Sequence, residues 1–180
     1  MKNFLLFMTI ATPLFISGCA QNNEQSTSEN LLTEDGRVSI MWQNPADFSD
    51  VEATIGVQSK FEEYLFIQLT KELAKLANKH LSAQQKLELI VTNVDLAGDL
   101  QPTFGGTADE VRIVSDLYPP KIAFEYTLTD NGNVISSGSE KLKDMGYLMG
   151  IQQVGNDPFP YEADLLTDWF KKNIEPILAN

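Results

Sequence analysis

Acidic side chains gather in one stretch of the chain, between two predicted strands. The set consists of Asp95, Asp99, Asp109, Glu110 and Asp116. Asp95 and Asp99 lie at a predicted strand end and in the loop after it, so their carboxylates can approach each other. Two close carboxylates can split their pKa values and serve as acid and base, or they can ligate calcium. The alternative is a group of solvated acids at strand ends in a chain with 25 acidic residues, because the spacing does not fix the distance between them.

The other residues with catalytic potential lack the context that their chemistry requires. His80 is the only histidine and lies in the last turn of a predicted helix, where no orienting partner or nucleophile accompanies it. The serines of Ser136–Ser139 lie in a predicted hairpin strand and not in the strand–turn–helix context of a nucleophile elbow. The segment Asp130–Asn133 predicts a tight hairpin turn and lacks the later glutamate of a calcium-binding EF-hand.

Metal and phosphate sites are not predicted either. A single cysteine and a single histidine exclude thiolate zinc clusters and two-histidine metal sites. The loop from Gly98 to Gly106 contains no lysine and does not match a phosphate-binding loop. The sequence therefore predicts no catalytic residue, no metal and no cofactor, and only the carboxylates leave room for an enzyme.

Three aromatic residues lie beside prolines in predicted loops or at the start of predicted elements. Exposed rings at such positions can anchor a peptide or a sugar ring, whereas the alternative is that they close the ends of the core. The loops from Gly98 to Thr107 and from Gly150 to Pro160 are candidates for a binding rim, because loops carry function more often than core does. The candidate rim residues are Asp95, Asp99, Asp116, Tyr118, Phe159 and Tyr161.

The amino-terminal segment has the parts of a secretory signal. Lys2 precedes an apolar stretch from Phe4 to Ile16, which is too short to span a bilayer, since a spanning helix needs about 20 apolar residues. The tetrad Ile16–Cys19 resembles a bacterial lipobox with isoleucine in place of the usual leucine. The resemblance implies that residues 1–18 are removed and that Cys19 carries a diacylglycerol thioether and an acyl (palmitate-type) chain. Because Ala20 and not aspartate follows Cys19, similarity to lipoprotein sorting favours the outer membrane over the inner membrane.

Composition separates a tether from one domain. Residues 19–36 are polar or acidic with little to bury, which predicts a flexible tether after the lipidated cysteine. Residues 37–180 have enough apolar side chains for a single domain with a real core. The net charge of −12 and the isoelectric point near 4.4 argue against nucleic acid as a partner. An acidic domain is also repelled by an anionic lipid surface, so we expect it to stand off from the membrane.

Hydrophobic periodicity predicts an α+β domain with a mixed, mostly antiparallel sheet of about five strands and two helices packed on it. The first helix lies between two strands of one sheet, which predicts that those strands are parallel neighbours. Ser59 and Glu62 match a capping box at its start. The strand Leu87–Ala97 is apolar on alternate positions of both faces, which predicts a central strand covered on both sides. The predicted strands cover 38–42, 87–97, 111–115, 122–128 and 134–142, and the predicted helices run to His80 and over Tyr161–Ile174.

Four separated segments resemble a known family. They are Val91–Gly98, Asp116–Pro120 with the alternating strand after it, Glu140–Met145 and Tyr161–Phe170. In this order they are similar to the proteobacterial family called domain of unknown function 3016, over about residues 37–172. The family brings no established activity, so the resemblance implies a relative and a domain but no reaction.

Two functions remain open from the sequence. The first is a non-catalytic binding or accessory lipoprotein on the periplasmic side of the outer membrane, whose partners are the membrane, through Cys19, and an envelope protein or cell-wall component. The second is a carboxylate- or metal-dependent envelope hydrolase built on Asp95, Asp99 and Asp116. The lack of catalytic motifs favours the first, and convergence of the carboxylates in a pocket would favour the second.

Overall fold

The computed structural model describes residues 30–103, 110–149 and 157–179, and these form a mixed sheet with helices on one face. The strands are β1 (Leu31–Asp35), β2 (Val38–Trp42), β3 (Gln85–Asp95), β4 (Asp99–Pro102), β5 (Glu110–Ile113), β6 (Lys121–Asp130) and β7 (Asn133–Lys143). The helices are α1 (Gln58–His80), α2 (Pro160–Trp169) and a last turn, α3 (Glu175–Leu178), and a 3-10 turn covers Pro45–Asp47.

Five strands form the main sheet in the order β1-β2-β3-β6-β7, and β4 pairs with β5 in a separate two-stranded sheet. The pair β2 and β3 is parallel, and the other pairs in both sheets are antiparallel. The crossover through α1 makes β2 and β3 parallel neighbours, as the strand–helix–strand order predicted. The predicted α+β class, with a mostly antiparallel five-stranded sheet, is confirmed.

The core lies between one face of the sheet and the two long helices. Alternation along β2 buries Val38, Ile40 and Trp42 against α1, because every second side chain of a strand points to the same face. Trp42 stacks on Phe66 of α1 with 4.2 Å between ring centroids. Both tryptophans are buried as predicted, and Trp169 of α2 meets the ring of Phe124 edge-on at 4.8 Å.

The prediction that β3 is covered on both faces is wrong. Thr92 is an extra residue opposite β6, since Val91 pairs with Phe124 and Asn93 with Ala123. A bulge of one residue shifts the alternation by one position, so Val94 returns to the buried face that Val91 occupies. Ile90, on the other face, is 43% exposed. All the buried side chains of β3 therefore serve one core.

The predicted tether extended to Gly36, but its last part belongs to the sheet. Leu31–Asp35 forms β1 and pairs antiparallel with β2 from Leu31↔Trp42 to Asp35↔Val38. Thr33 in the middle of this strand is buried, and its hydroxyl accepts a hydrogen bond from the Trp42 indole N–H at 2.8 Å. The folded part of the chain therefore begins at least six residues earlier than the composition indicated, at Leu31 and not at Arg37.

The helix ends also differ from the predictions. No side chain caps α1; instead the Gln58 amide donates to Glu62 Oε1 at 2.8 Å and accepts from Ala53 N–H at 2.9 Å. The second helix does not end at Ile174, because a π-helical turn over Phe170–Ile174 leads into α3. This wider turn lets Pro176 take a first-turn position, where its missing N–H costs no hydrogen bond.

The signal segment, Cys19 and the amino-terminal part of the tether lie outside the described residues. So do Asp109 and residues 104–107 and 150–156 of the two loops predicted as a rim. Among residues 30–103, 110–149 and 157–179, no helix has the length and apolar character needed to cross a bilayer.

Candidate functional site

The acidic residues predicted to cluster lie in different elements and surroundings. The Asp95 carboxylate accepts a hydrogen bond from Lys121 Nζ at 2.5 Å, across the β3–β6 pair. Asp99 is the first residue of β4 and pairs with Ile113, while Asp116 is exposed in a turn. Among the residues that the structure describes, no three histidine, cysteine or acidic side chains form a group that could hold a metal ion.

The loop predicted from Gly98 to Thr107 begins as a strand. Gly98 has φ +88°, and its N–H donates to the Tyr118 carbonyl at 2.9 Å. A Cβ at Gly98 would lie 2.6 Å from the Ile113 carbonyl oxygen, so only glycine allows β4 to leave β3 this close to the end of β5. This contact places the backbone of Tyr118 beside the end of β3, while the Tyr118 side chain is 41% exposed.

A second tyrosine, which the sequence analysis did not select, connects this region to α2. The Tyr147 hydroxyl donates to the Ser115 carbonyl at 2.6 Å, and its ring meets that of Tyr161 edge-on at 4.8 Å. Burial, followed by the electrostatic influence of Tyr161, raises the pKa of the Tyr147 hydroxyl. The predicted rim residue Tyr161 is thus fixed from the side by a buried aromatic neighbour.

The start of α2 brings the predicted aromatics to the end of β3. The Asp157 side chain accepts the Phe159 N–H at 2.9 Å, and Pro160 opens the helix. The Phe159 ring lies 5.9 Å from both Phe61 and Tyr64 of α1, in edge-on contacts. Phe159 is therefore partly buried against the core.

Glu162 is the principal residue that the sequence analysis missed. It is 3% exposed, and its Oε1 accepts the Ala97 N–H at 2.7 Å, which ties the first turn of α2 to the end of β3. Burial raises the pKa of this carboxyl, and hydrogen bonds from Ala97 and from its own backbone, together with Arg112, act in the opposite direction. A carboxylate in the first helical turn also interacts favourably with the helix dipole.

A pattern in the sequence could have identified it. Glu162 lies four residues before Leu166 and seven before Trp169, both of them buried. It therefore occupies the first position of the apolar stripe of α2, where a hydrophobic residue is expected. An acid at such a position must be desolvated on folding, which is costly unless a partner is provided.

Arg112 is close enough to Glu162 to influence its charge, but its side-chain hydrogen bonds go to a different carboxylate. Its two terminal nitrogens donate to the two carboxylate oxygens of Asp50 at 2.6 and 2.8 Å. Both side chains are about four-fifths buried, and a bidentate guanidinium–carboxylate pair in such a place is strong and geometrically fixed. The pair fastens β5 to the segment that leads into α1.

These elements enclose a pocket of about 210 Å³. Its wall is mainly aromatic, proline and aliphatic, and its polar groups are few. The residues that line it are Glu52, Thr54, Phe61, Leu96, Ala97, Arg112, Val114, Pro158, Phe159, Pro160, Tyr161 and Glu162. Of the predicted rim, Phe159 and Tyr161 line this pocket, whereas Asp95, Asp99, Asp116 and Tyr118 are not among its lining residues.

A model of the family described as protein of unknown function (DUF3016) matches residues 36–172. The match covers most of the chain and includes every residue from β2 to the π-helical turn that lines the pocket. No curated protein and no solved structure matches the chain.

Proposed function

The chain belongs to the DUF3016 family, and from that premise we propose that it works by binding, as a lipid-anchored accessory domain on the periplasmic face of the outer membrane. Its partner in this proposal is an envelope protein or a cell-wall component. The observation that carries the proposal is the pocket at the start of α2, where an aromatic wall surrounds a buried carboxylate.

The form of the pocket supports recognition. Ligand sites are typically apolar concavities with a few fixed polar groups that set orientation. Here Phe61, Phe159 and Tyr161 supply the apolar wall, and Glu162 and Arg112 are held in place by backbone and side-chain partners. Buried aromatic anchors next to fixed polar groups are also the usual centre of a protein interface.

The anchor rests on the sequence of the first twenty residues. A single acyl chain binds membranes only marginally, with an association constant on the order of 10⁴ M⁻¹, whereas several chains on one residue make release negligible. Lipidated Cys19 therefore confines the domain to the membrane surface, and the segment before β1 gives it reach. Confinement of this kind raises the local concentration of a binding domain next to partners in the same envelope.

The experiment compares cross-linking from the pocket with cross-linking from the opposite face of the sheet. A photo-activatable amino acid is placed at Thr54, which is exposed and lines the pocket, or at Ile90, which is exposed on the uncovered face. We expect a specific adduct in cells from position 54 and none from position 90. Phe159→Ala should remove the adduct while the melting temperature shows that the domain still folds.

Equal adducts from both positions, or none from either, would contradict a binding function for this pocket. Cys19→Ser should reduce the position-54 adduct, because the soluble chain is no longer concentrated at the membrane. An adduct that is insensitive to both variants is a non-specific encounter.

The second candidate is a carboxylate-dependent hydrolase, and Glu162 is the observation that favours it. A buried carboxyl with a raised pKa next to a pocket is the arrangement of a general acid. Glu162→Gln separates the two functions in cells that depend on the protein. If the variant captures the partner as the wild type does but fails in function, the reaction needs the proton of Glu162 and the chain is an enzyme.

A further inference from the structure

The size of the pocket limits what can enter it. Sites for whole small molecules occupy about 300–1,000 Å³, and this pocket has about 210 Å³. A single side chain from a partner fits that volume better than a complete metabolite does. The pocket also opens beside an exposed residue, Thr54, so a side chain can enter from solvent.

The wall of the pocket suits a long aliphatic stem. Phe61, Phe159 and Tyr161 present rings, and Pro158 and Pro160 add two more apolar surfaces. A chain of methylene groups buries its area against such a wall, and an ammonium group near aromatic faces gains a cation–π attraction.

The charges at the pocket favour a cation. Among the described residues, Arg112 is the one basic residue that lines it, and both of its terminal nitrogens donate to Asp50. The lining holds two acidic groups, Glu52 and Glu162, against this one cation, whose charge acts on both of them. The negative charge of the whole chain adds a long-range attraction for a basic segment of a partner.

Resting on the proposed binding function, we infer that this pocket binds the side chain of a lysine from a partner polypeptide, with the stem along Phe61 and Phe159 and the ammonium at Glu162. Lysine fits better than arginine because Glu162 Oε1 already accepts the Ala97 N–H. A guanidinium binds a carboxylate best when both oxygens are free for its two-pronged contact, whereas an ammonium is a point donor. The cation would also offset the desolvation cost of the buried Glu162 carboxylate, and it would add to the favourable influence of the Arg112 charge.

The test uses the full chain in detergent micelles, with the Ala97 amide as the reporter in NMR spectra. The probe is a blocked Ala-Lys-Ala tripeptide, and the comparison peptide carries norleucine, which keeps the stem and lacks the ammonium. We expect the lysine peptide to shift the Ala97 resonance saturably at millimolar concentration. The norleucine peptide should bind at least tenfold more weakly, since a charge-assisted hydrogen bond is lost.

Two variants and a control assign the binding to the pocket. Glu162→Gln should weaken the lysine peptide at least tenfold, and Asp116→Asn, an equal change of charge outside the pocket, should leave its affinity within twofold. Thr54→Trp fills the pocket from an exposed position, so it should remove binding without a change in the melting temperature.

Several outcomes would overturn the inference. Equal binding of the norleucine peptide would mean that the pocket recognises apolar groups only, and preferential binding of an Ala-Asp-Ala peptide would mean that Arg112 is the recognition group. If no peptide shifts Ala97 while the Thr54 adduct still forms in cells, lysine recognition is wrong and the binding function stands. If neither occurs, both are wrong.

Discussion

At the scale of single residues, Glu162 couples the stability of the domain to protonation. Its pKa lies above the ordinary value of 4.5, chiefly because the side chain is buried. Between 4.5 and the raised pKa, the folded chain keeps the proton that the unfolded chain has released. The folded state then binds more protons than the unfolded state, so the free energy of unfolding falls as pH rises through this window.

Glu162→Gln should remove this dependence, because the neutral amide can still accept the Ala97 N–H. Relative to the variant, the wild type should lose up to about 1.4 kcal/mol of unfolding free energy per pH unit within the window. Urea denaturation between pH 4 and pH 8 measures the difference. Ion pairs such as Asp95–Lys121 contribute equally to both proteins and cancel. Parallel pH profiles for the two proteins would contradict the buried, proton-holding carboxyl.

The two buried tryptophans provide a matched pair, since only one of them has a hydrogen-bond partner. Trp42 Nε1 donates to Thr33 at 2.8 Å, while Trp169 Nε1 is buried without a partner among the described residues. Substitution by phenylalanine removes a satisfied group in one case and an unsatisfied group in the other. An unsatisfied buried donor costs about 1–3 kcal/mol.

Trp42→Phe should therefore destabilise the domain by about 1–3 kcal/mol more than Trp169→Phe does, in equilibrium urea unfolding. Trp169→Ala should cost about 3–5 kcal/mol, because it empties a site in contact with Phe124 and Tyr126. Equal costs for the two phenylalanine variants would show that Trp169 Nε1 is satisfied in solution.

At the scale of elements, β1 is part of the structural core and not of the tether. Thr33 bonds both Trp42 Nε1 and the Thr70 hydroxyl, at 2.8 and 2.6 Å, so one edge strand links β2 to α1. A chain that begins at Arg37 should be less stable than one that begins at Asn30 by about 2 kcal/mol or more, since the indole N–H loses its acceptor. Thermal unfolding of the two chains measures the difference. Indistinguishable melting temperatures for the two chains would show that β1 does not stabilise the domain and acts as part of the tether.

Strands with a regular alternation of buried and exposed residues were predictable from the sequence. Elements in which a bulge or a wider helical turn interrupts the regular period were not. Trp42 and Leu128 follow a simple period of two in strands with one covered face, so their burial could be read from the pattern. The bulge at Thr92 is different, because an uninterrupted period of two places Val91 and Val94 on opposite faces, whereas the bulge brings both to the buried face. The π-helical turn before Pro176 likewise depends on how the helix packs, which no local pattern specifies.

The candidate site was also predictable only in part, because local sequence reveals some of its residues and the register of the strands determines the others. The aromatics Phe159 and Tyr161 were recognisable from their position beside prolines, and they do line the pocket. Glu162 was recognisable from its place on the apolar stripe of α2. The pairing of Asp95 with Lys121 was not, because it depends on the register of β3 against β6. Residues brought together across strands become evident only when the register is known.

At the scale of the whole molecule, charge and attachment act against each other. The chain has a net charge of −12, so the domain is repelled from anionic lipid and cannot rely on surface electrostatics to remain at a membrane. Attachment to a membrane therefore needs an interaction other than charge, and the covalent lipid expected at Cys19 would supply one.

Cys19→Ser should therefore move the protein from the membrane fraction to the soluble fraction or leave the signal uncleaved, since the variant has no thiol to carry the diacylglycerol group. Ala20→Asp keeps the lipid and changes only the residue after it, so this variant should remain membrane-bound but shift to the inner membrane. Membrane fractionation on a density gradient, with mass spectrometry of the amino-terminal peptide, measures both results. A wild-type peptide with an unmodified Cys19 would contradict the lipid anchor. Outer-membrane residence of both the wild type and Ala20→Asp would retain the anchor and contradict the sorting rule.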